Sequence, residues 1–156
     1  MALNGIERKP ISLDSWSAVL SWRNDPLVYV WNRVNRPISL QEHLSWFENR
    51  QSRIESEPIF SYHHNRNLIG VARLDFLSEL NYEVSLIVNP LFQGNGYGKQ
   101  ILADVCRHFS NCYPKQSRLI AVIHLHNLRS QHLFKALGFQ LLSEQASFRT
   151  YVLKSN

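Results

Sequence analysis

"NPLFQGNGYGKQIL", residues 89–102, sets three glycines, Gly94, Gly96 and Gly98, between an apolar run broken by Pro90 and a segment with helical spacing. Glycine weakens helices and strands, so such a cluster needs a reason, and the usual one is close approach to something a Cβ would block. A glycine-rich loop that opens a helix presents unpaired backbone N–H groups at the positive end of the helix dipole. Together these make a site for a phosphate or pyrophosphate. Lys99 adds a positive charge beside it.

Three phosphate-binding loops share this design. A Walker A loop ends in Gly-Lys-Ser/Thr, whereas Lys99 is followed by Gln100. A dinucleotide fingerprint needs Gly-x-Gly-x-x-Gly and an acid about twenty residues on. Here the spacing is Gly-x-Gly-x-Gly, and the region around Arg118 offers no acid. The third pattern, Gln/Arg-x-x-Gly-x-Gly/Ala, is filled by Gln93, Gly96 and Gly98.

Upstream of the loop, "IERKPISL" reads as a strand and "LDSWSAVLSWRND" as a helix, with Trp16, Val19, Leu20 and Arg23 at helical spacing. Asp25-Pro26 breaks or kinks it. "SLQEHLSWFENRQ" carries a capping box, Ser39 with Glu42 three residues on. Leu40, Leu44 and Phe47 form its apolar stripe, with His43, Trp46 and Arg50 on a neighbouring face. "PIFSYHH" and "LIGVARLDFL" suggest a hairpin turning at Asn65-Arg66-Asn67, and "YEVSLIV" a strand ending at Asn89-Pro90. Downstream, "KQILADVCRHF" places Ile101, Leu102, Val105 and Phe109 on one helical face. "SRLIAVIHLH" is a strand, "NLRSQHLFKAL" a helix closed by Gly138, and "FQLLSE" with "SFRTYVLK" a final strand pair. The order gives a mixed α/β (α+β) layer architecture without the steady alternation of a doubly wound sheet.

The chain of 156 residues is expected to form one domain, 1–156. Its formal charge of +5 is dispersed, with no nucleic-acid recognition motif, so a phosphate-bearing small molecule suits it better than nucleic acid. No run resembles a signal peptide or is long enough to span a bilayer, so no membrane partner is expected. Cys106 and Cys112, six apart on a helix, face different ways, which points to reduced thiols and a cytoplasmic setting. His124-x-His126 and His63-His64 lack an acidic or cysteine partner at ligand spacing, so no metal is expected. The oligomeric state is open, a homodimer included.

Gln93-x-x-Gly96-x-Gly98, after a strand and before a helix, resembles the pyrophosphate loop of the GNAT superfamily of acyl-CoA-dependent N-acetyltransferases. "HNLRSQHLFKALGF" is similar to that family's second signature, an Asn followed by a helix ending in Gly-Phe. The resemblance spans most of the chain. It implies a central mixed, mostly antiparallel sheet of about six to seven strands, splayed at the cofactor site and flanked by about four helices. It implies acetyl-CoA as co-substrate, held between the strands Glu83–Val88 and Leu119–His124. Backbone groups near Ile87 and Val88 would meet the pantetheine arm. Gln93, Gly94, Asn95, Gly96, Tyr97, Gly98 and Lys99 would surround the pyrophosphate, with Asn127, Ser130 and Phe134 along the other side. The glycines also admit a plainer reading, close packing of a helix on a sheet.

Acetyl transfer to an amine needs a base to take the ammonium proton, directly or through water. Glu83 opens the cofactor strand and shares a face with Ser85 and Ile87, which makes it the candidate base; a solvated strand-edge carboxylate is the alternative. A backbone N–H near Ile87 or Val88 would serve the thioester oxygen. Where many relatives carry a tyrosine that protonates the leaving sulfur, this chain has Phe134, leaving Tyr97, Tyr151, Ser130 or water for that role.

"SWRNDPLVYVWNRVNRPISLQEHLSWF" resembles, more loosely, the N-terminal region of GNAT enzymes that acetylate nucleotide-linked amino sugars, as in pseudaminic acid pathways. On that resemblance the acceptor is a primary amine of a sugar nucleotide, met by Trp22, Arg23, Asn24, His43, Trp46 and Arg73. Trp22, Trp31 and Trp46 offer flat faces to a ring, and arginine suits a diphosphate; tryptophans at helical spacing are also frequent in cores. Acetylation of a peptide N-terminus and a non-catalytic acyl-CoA-binding role stand as alternatives.

Overall fold

The computed structural model describes residues 5–154; residues 1–4, where a leader was looked for in the sequence, lie outside them. Seven strands form one sheet in the order β1-β2-β3-β4-β5-β7-β6. They are β1 (Ile6–Pro10), β2 (Ile59–His64), β3 (Asn67–Ser78), β4 (Asn81–Val88), β5 (Arg118–His124), β6 (Gln140–Gln145) and β7 (Phe148–Lys154). All neighbours run antiparallel except β4 and β5. A parallel pair needs a crossover, and α4 (Tyr97–Cys112) supplies it.

The sheet has a helical layer on each face. α4 and α5 (Leu128–Ala136) cover one, and α1 (Leu13–Arg23) with α3 (Leu40–Arg50) the other. The α4 stripe read from the sequence is the buried one: Ile101, Leu102 and Val105 are fully buried and Phe109 nearly so. Each such side chain contributes about 1.5–3 kcal/mol by leaving water. Asp104, one turn along, is buried too and ties α4 to the sheet edge. It accepts from Arg8 at 2.9 Å, from the Tyr62 hydroxyl at 2.9 Å and from Arg107 at 3.0 Å. Burial, reinforced by the Asp104 carboxylate, pushes the Tyr62 phenol far up, so it stays a donor.

Several turns follow from sequence chemistry. Asn65 and Arg66 both have positive φ (49° and 68°), the mark of a type I′ hairpin turn between β2 and β3. Gly138, at φ 95°, closes α5 in a Schellman motif: its N–H bonds Lys135 O at 3.0 Å and the Phe139 N–H bonds Phe134 O at 3.2 Å. Two expectations need correction. Asp25-Pro26 does more than stop α1: Asp25 caps a new short helix, α2 (Pro26–Tyr29), with Pro26 in its first turn, making five helices among the described residues. The α3 capping box is half formed. Ser39 Oγ accepts from the Glu42 amide at 3.1 Å, but the Glu42 carboxylate turns to Arg36. Leu40 is exposed, and the α3 face turned inward carries His43, Trp46, Phe47 and Arg50.

Gly70 on β3 sits beneath α4. A Cβ there would lie 2.6 Å from Ile101 Cδ1 and 3.0 Å from the Ile87 carbonyl oxygen. Gly70→Ala is therefore expected to destabilise the fold by about 1–3 kcal/mol, read as a lower urea midpoint at unchanged slope.

Candidate active site

The β4–β5 ladder pairs Asn81 with Arg118, Tyr82 with Leu119 and Glu83 with Ile120, and stops there. Beyond it β4 stays paired to β3 as far as Gly70↔Val88, and β5 to β7 as far as His124↔Phe148. The two strands therefore part, and a groove of about 560 Å³ opens between them at the N-terminus of α4. Ile87 and Val88 line it from the β4 side. Gln93, Gly94, Gly96, Tyr97, Gly98 and Lys99 form the loop wall, and Asn127, Ser130 and Phe134 the α5 wall.

The three glycines differ in their work. Gly94 (φ 85°) and Gly96 (φ 78°) adopt left-handed backbone, and a Cβ on either would meet nothing within 4 Å. They shape the turn and leave the space above it open. Gly98 faces the interior, where a Cβ would touch Leu133 Cδ2 at 3.5 Å and Val88 Cγ2 at 3.6 Å. The close-packing reading thus applies to Gly98 and not to the other two. Gly96 caps α4 without a side chain, and the Gln100 amide bonds Gly96 O at 3.3 Å. Tyr97, Gly98 and Lys99 precede that bond, so their N–H groups lack a partner one turn back and point toward the groove end of the helix.

Asn95 stands apart from the groove lining: its side-chain amide donates to Phe92 O at 3.0 Å and folds the loop on itself. Asn127 caps α5, its Oδ1 accepting from the Ser130 amide at 3.3 Å. Of Ile87 and Val88, the two residues expected to offer an N–H to the reacting carbonyl, Ile87 is turned the other way. The Asn89 amide bonds Ile69 O on β3, and strand alternation then directs Ile87 to β3 as well. The main-chain groups of Leu86 and Val88 face the gap instead. Tyr151 is fully buried with its hydroxyl donating to Gln131 Oε1 at 3.0 Å, so it cannot serve the groove.

A second pocket, of about 490 Å³, lies on the α1/α3 face and shares Val28, Trp31, Asn32, Leu86 and Ile87 with the first. Glu83, Ser85 and Ile87 line its β4 wall, as alternation requires. Glu83 is 5 % exposed, and its carboxylate accepts from Arg33 at 2.6 Å. Four arginines line this pocket, Arg23, Arg33, Arg36 and Arg73, against two carboxylates, Glu42 and Glu83. Burial, then the charges of Arg36 and Arg73, press Arg23 below the ordinary arginine range.

The proposed acceptor contacts divide. His43, Trp46, Arg23 and Arg73 line the pocket, whereas Trp22 and Asn24 do not. Trp22 is buried in the core between α1 and the sheet. Asn24 holds the backbone of Ile38 through two bonds of 2.8 Å. Arg23 donates to Val34 O and Arg36 O, anchoring the same loop. The Trp46 ring is already in contact with protein groups: Trp16 stacks on it at 5.0 Å, and Arg50 and Arg73 lie 4.5 and 4.8 Å from the ring centroid. His43 stacks on Trp16 at 4.3 Å, its Nε2 lies 2.5 Å from Trp16 O, and Trp16 Nε1 donates to His43 O. A carbonyl only accepts, so Nε2 carries the proton. Sequence reasoning missed Arg33 and Arg36 as pocket residues; Ser85, read on the Glu83 face, and Trp31, read as a ring-stacking face, both line the pocket, and Trp31 touches both pockets. For Arg33 and Arg36 the signal was their place in a polar loop of arginines between two helices.

Burial pushes the Cys106 thiol up to about 12, and neither Cys106 nor Cys112 lines either pocket. Among the described residues no group of three or more His, Cys, Asp or Glu could hold a metal ion, and no helix is long and apolar enough to cross a membrane.

A glycine-rich loop thus opens a helix where two strands of a mixed sheet part. The family model described as acetyltransferase (GNAT) domain matches residues 8–140. The chain belongs to this family. Its fold is shared with solved structures of low sequence identity. A domain from Methanocaldococcus jannaschii has a TM-score of 0.82 and 22% identity, with 95% of this chain and 97% of that one covered. Spermidine N-acetyltransferase from Vibrio cholerae, in complex with CoA and spermine, has a TM-score of 0.79 and 14% identity, with 96% and 94% covered. The Campylobacter jejuni N-acetyltransferase PseH, in complex with acetyl coenzyme A, has a TM-score of 0.71 and 19% identity, with 97% and 99% covered. No curated protein matches the chain.

Burial holds His43 neutral by lowering its pKa below the ordinary 6.5. Unfolding lets the ring take up a proton below that value, so the folded state loses stability as pH falls from about 6.5. His43→Asn is expected to flatten the dependence of the urea midpoint between pH 7 and pH 5; His63 and His108, also lowered by burial, keep the remaining slope.

Proposed function

We propose that this chain transfers the acetyl group of acetyl-CoA to a primary amine carried by a nucleotide-activated amino sugar. The observation that carries the acceptor class is the pocket beside Glu83, where four arginines outnumber two carboxylates. Such a lining repels a polyamine and attracts a diphosphate, which arginine binds in bidentate fashion. The resemblance of the N-terminal half to sugar-nucleotide acetyltransferases points the same way.

Acetyl-CoA supplies an acyl group activated as a thioester. The loop fits its pyrophosphate: Gly94 and Gly96 leave a cradle that a Cβ would fill, and the first amides of α4 point at it. Leu86 and Val88 offer strand-edge N–H groups along the gap, where a carbonyl oxygen gains charge. Glu83 is the base. It lies three residues before Leu86, about 10 Å along the strand, so the amine proton reaches it through water. The two free cysteines suit a reducing, cytoplasmic setting.

Thiol release measured over a panel of amines should be fastest with a sugar nucleotide bearing a free amine, slower with the free amino sugar, and absent with spermidine. Release with no amine at all, in a protein that binds acetyl-CoA, would make the chain a non-catalytic binder. Glu83→Gln is expected to lower kcat by about 10²–10⁴-fold with acetyl-CoA affinity retained. Gly96→Val, which strains the backbone at φ 78° and fills the cradle, should weaken acetyl-CoA binding at least tenfold in a protein that still folds cooperatively; unchanged affinity would move the cofactor elsewhere.

A further inference from the structure

Glu83 is buried at the pocket wall, yet its partner is not: the side chain of Glu83 is 6% exposed and that of Arg33 is 55% exposed. They are 50 residues apart in sequence and meet at 2.6 Å. Arg33 belongs to the loop between α2 and α3, whose backbone is clamped from beneath. Arg23 holds Val34 O at 2.7 Å and Arg36 O at 3.2 Å, and Asn24 holds Ile38. The loop is therefore fixed while the Arg33 side chain reaches from solvent into the pocket. Each of the other three arginines has a different partner: Arg23 the loop carbonyls, Arg36 Glu42 and Pro37 O, and Arg73 Asp75 and the Trp46 ring. Arg33 is the one paired with the candidate base.

An amine acceptor arrives as an ammonium, whose proton passes through water to the Glu83 carboxylate. Arg33 holds that carboxylate with a charge of the same sign as the ammonium. The exposed guanidinium can be drawn to another anion only if the buried Glu83 carboxylate gains a cation or a proton in exchange. A guanidinium prefers a diphosphate, with its several oxygens, to one carboxylate oxygen. An acceptor carrying both an ammonium and a diphosphate offers both exchanges at once. We propose that Arg33 selects for such acceptors: it moves from Glu83 to the diphosphate and frees the carboxylate to take the ammonium's proton through water, whereas an amine without an anionic group has to displace it unaided. The inference rests on the reading of this pocket as the acceptor site, and it makes Arg33 a specificity residue rather than a base or acid.

The test uses the full chain with saturating CoA, which blocks the phosphate loop, and UDP as the probe in calorimetry. Wild-type protein should bind UDP, Arg33→Ala at least tenfold more weakly, and Arg33→Lys with intermediate affinity. Glu83→Gln, which releases Arg33, should bind UDP severalfold more tightly. In thiol-release assays, Arg33→Ala should raise KM for an amino-sugar nucleotide at least tenfold while kcat/KM for the free amino sugar stays level or rises. Opposite movement of the two acceptors is what a merely structural role would not produce. Equal UDP affinity in wild type and Arg33→Ala, or an equal fall with both acceptors, would overturn the role of Arg33 and leave the acceptor class standing. Absence of UDP binding by a wild-type protein that binds CoA would overturn the acceptor class, and the inference with it.

Discussion

The site depends on two strands being held apart from their outer sides. β4 is paired to β3 through Val88, and the next residue extends the hold: the Asn89 amide bonds Ile69 O at 2.8 Å and its side chain bonds Leu68 O at 3.0 Å. β5 is paired to β7 along its whole length. Neither strand can turn to the other without breaking a complete ladder, so after Glu83 and Ile120 they diverge. A strand edge inside a protein carries main-chain donors and acceptors that need partners. Leu86 and Val88 present such an edge to the groove, which makes the gap a place for an extended, hydrogen-bonding ligand.

The helix at the end of the gap completes this arrangement because its start is unobstructed. Gly94 and Gly96 take left-handed backbone that an L side chain adopts only with strain. Their outward space is open to 4 Å. Further along, α4 is anchored by fully buried apolar residues and by the Asp104 cluster with Tyr62 and Arg8. A rigid helix keeps its amides aimed, and an aimed set of amides binds an anion without reorganising first.

What the sequence made legible was local. The glycine spacing, the buried stripe of α4 and the Gly138 stop each depend on residues within a few positions of one another, and the structure contains all three. The acceptor side was less legible because its contacts are long-range. Nothing near Arg33 announces Glu83, and nothing near Trp46 announces that Trp16 and Arg73 pack against its ring. Trp22 and Asn24 carry suitable chemistry for a ligand, but packing and the Ile38 backbone claim them. The Asp25-Pro26 pair, read as a break, is also a cap followed by a preorganised first turn, and α2 was recoverable from it.

That short helix matters beyond its size. Val28, Trp31 and Asn32, from α2 and the residues just after it, line both pockets and form the partition between them with Leu86 and Ile87 of β4. Trp31 packs edge-on against His124 at the end of β5, at 5.3 Å, so the partition touches both diverging strands. The loop that continues from it carries Arg33 to Glu83. One segment thus walls both pockets and carries the charge that rests on Glu83. On the proposed function, acceptor binding that draws on Arg33 would act on the segment bordering the groove at α4, which would couple acceptor choice to donor geometry through residues 28–33 rather than through the sheet.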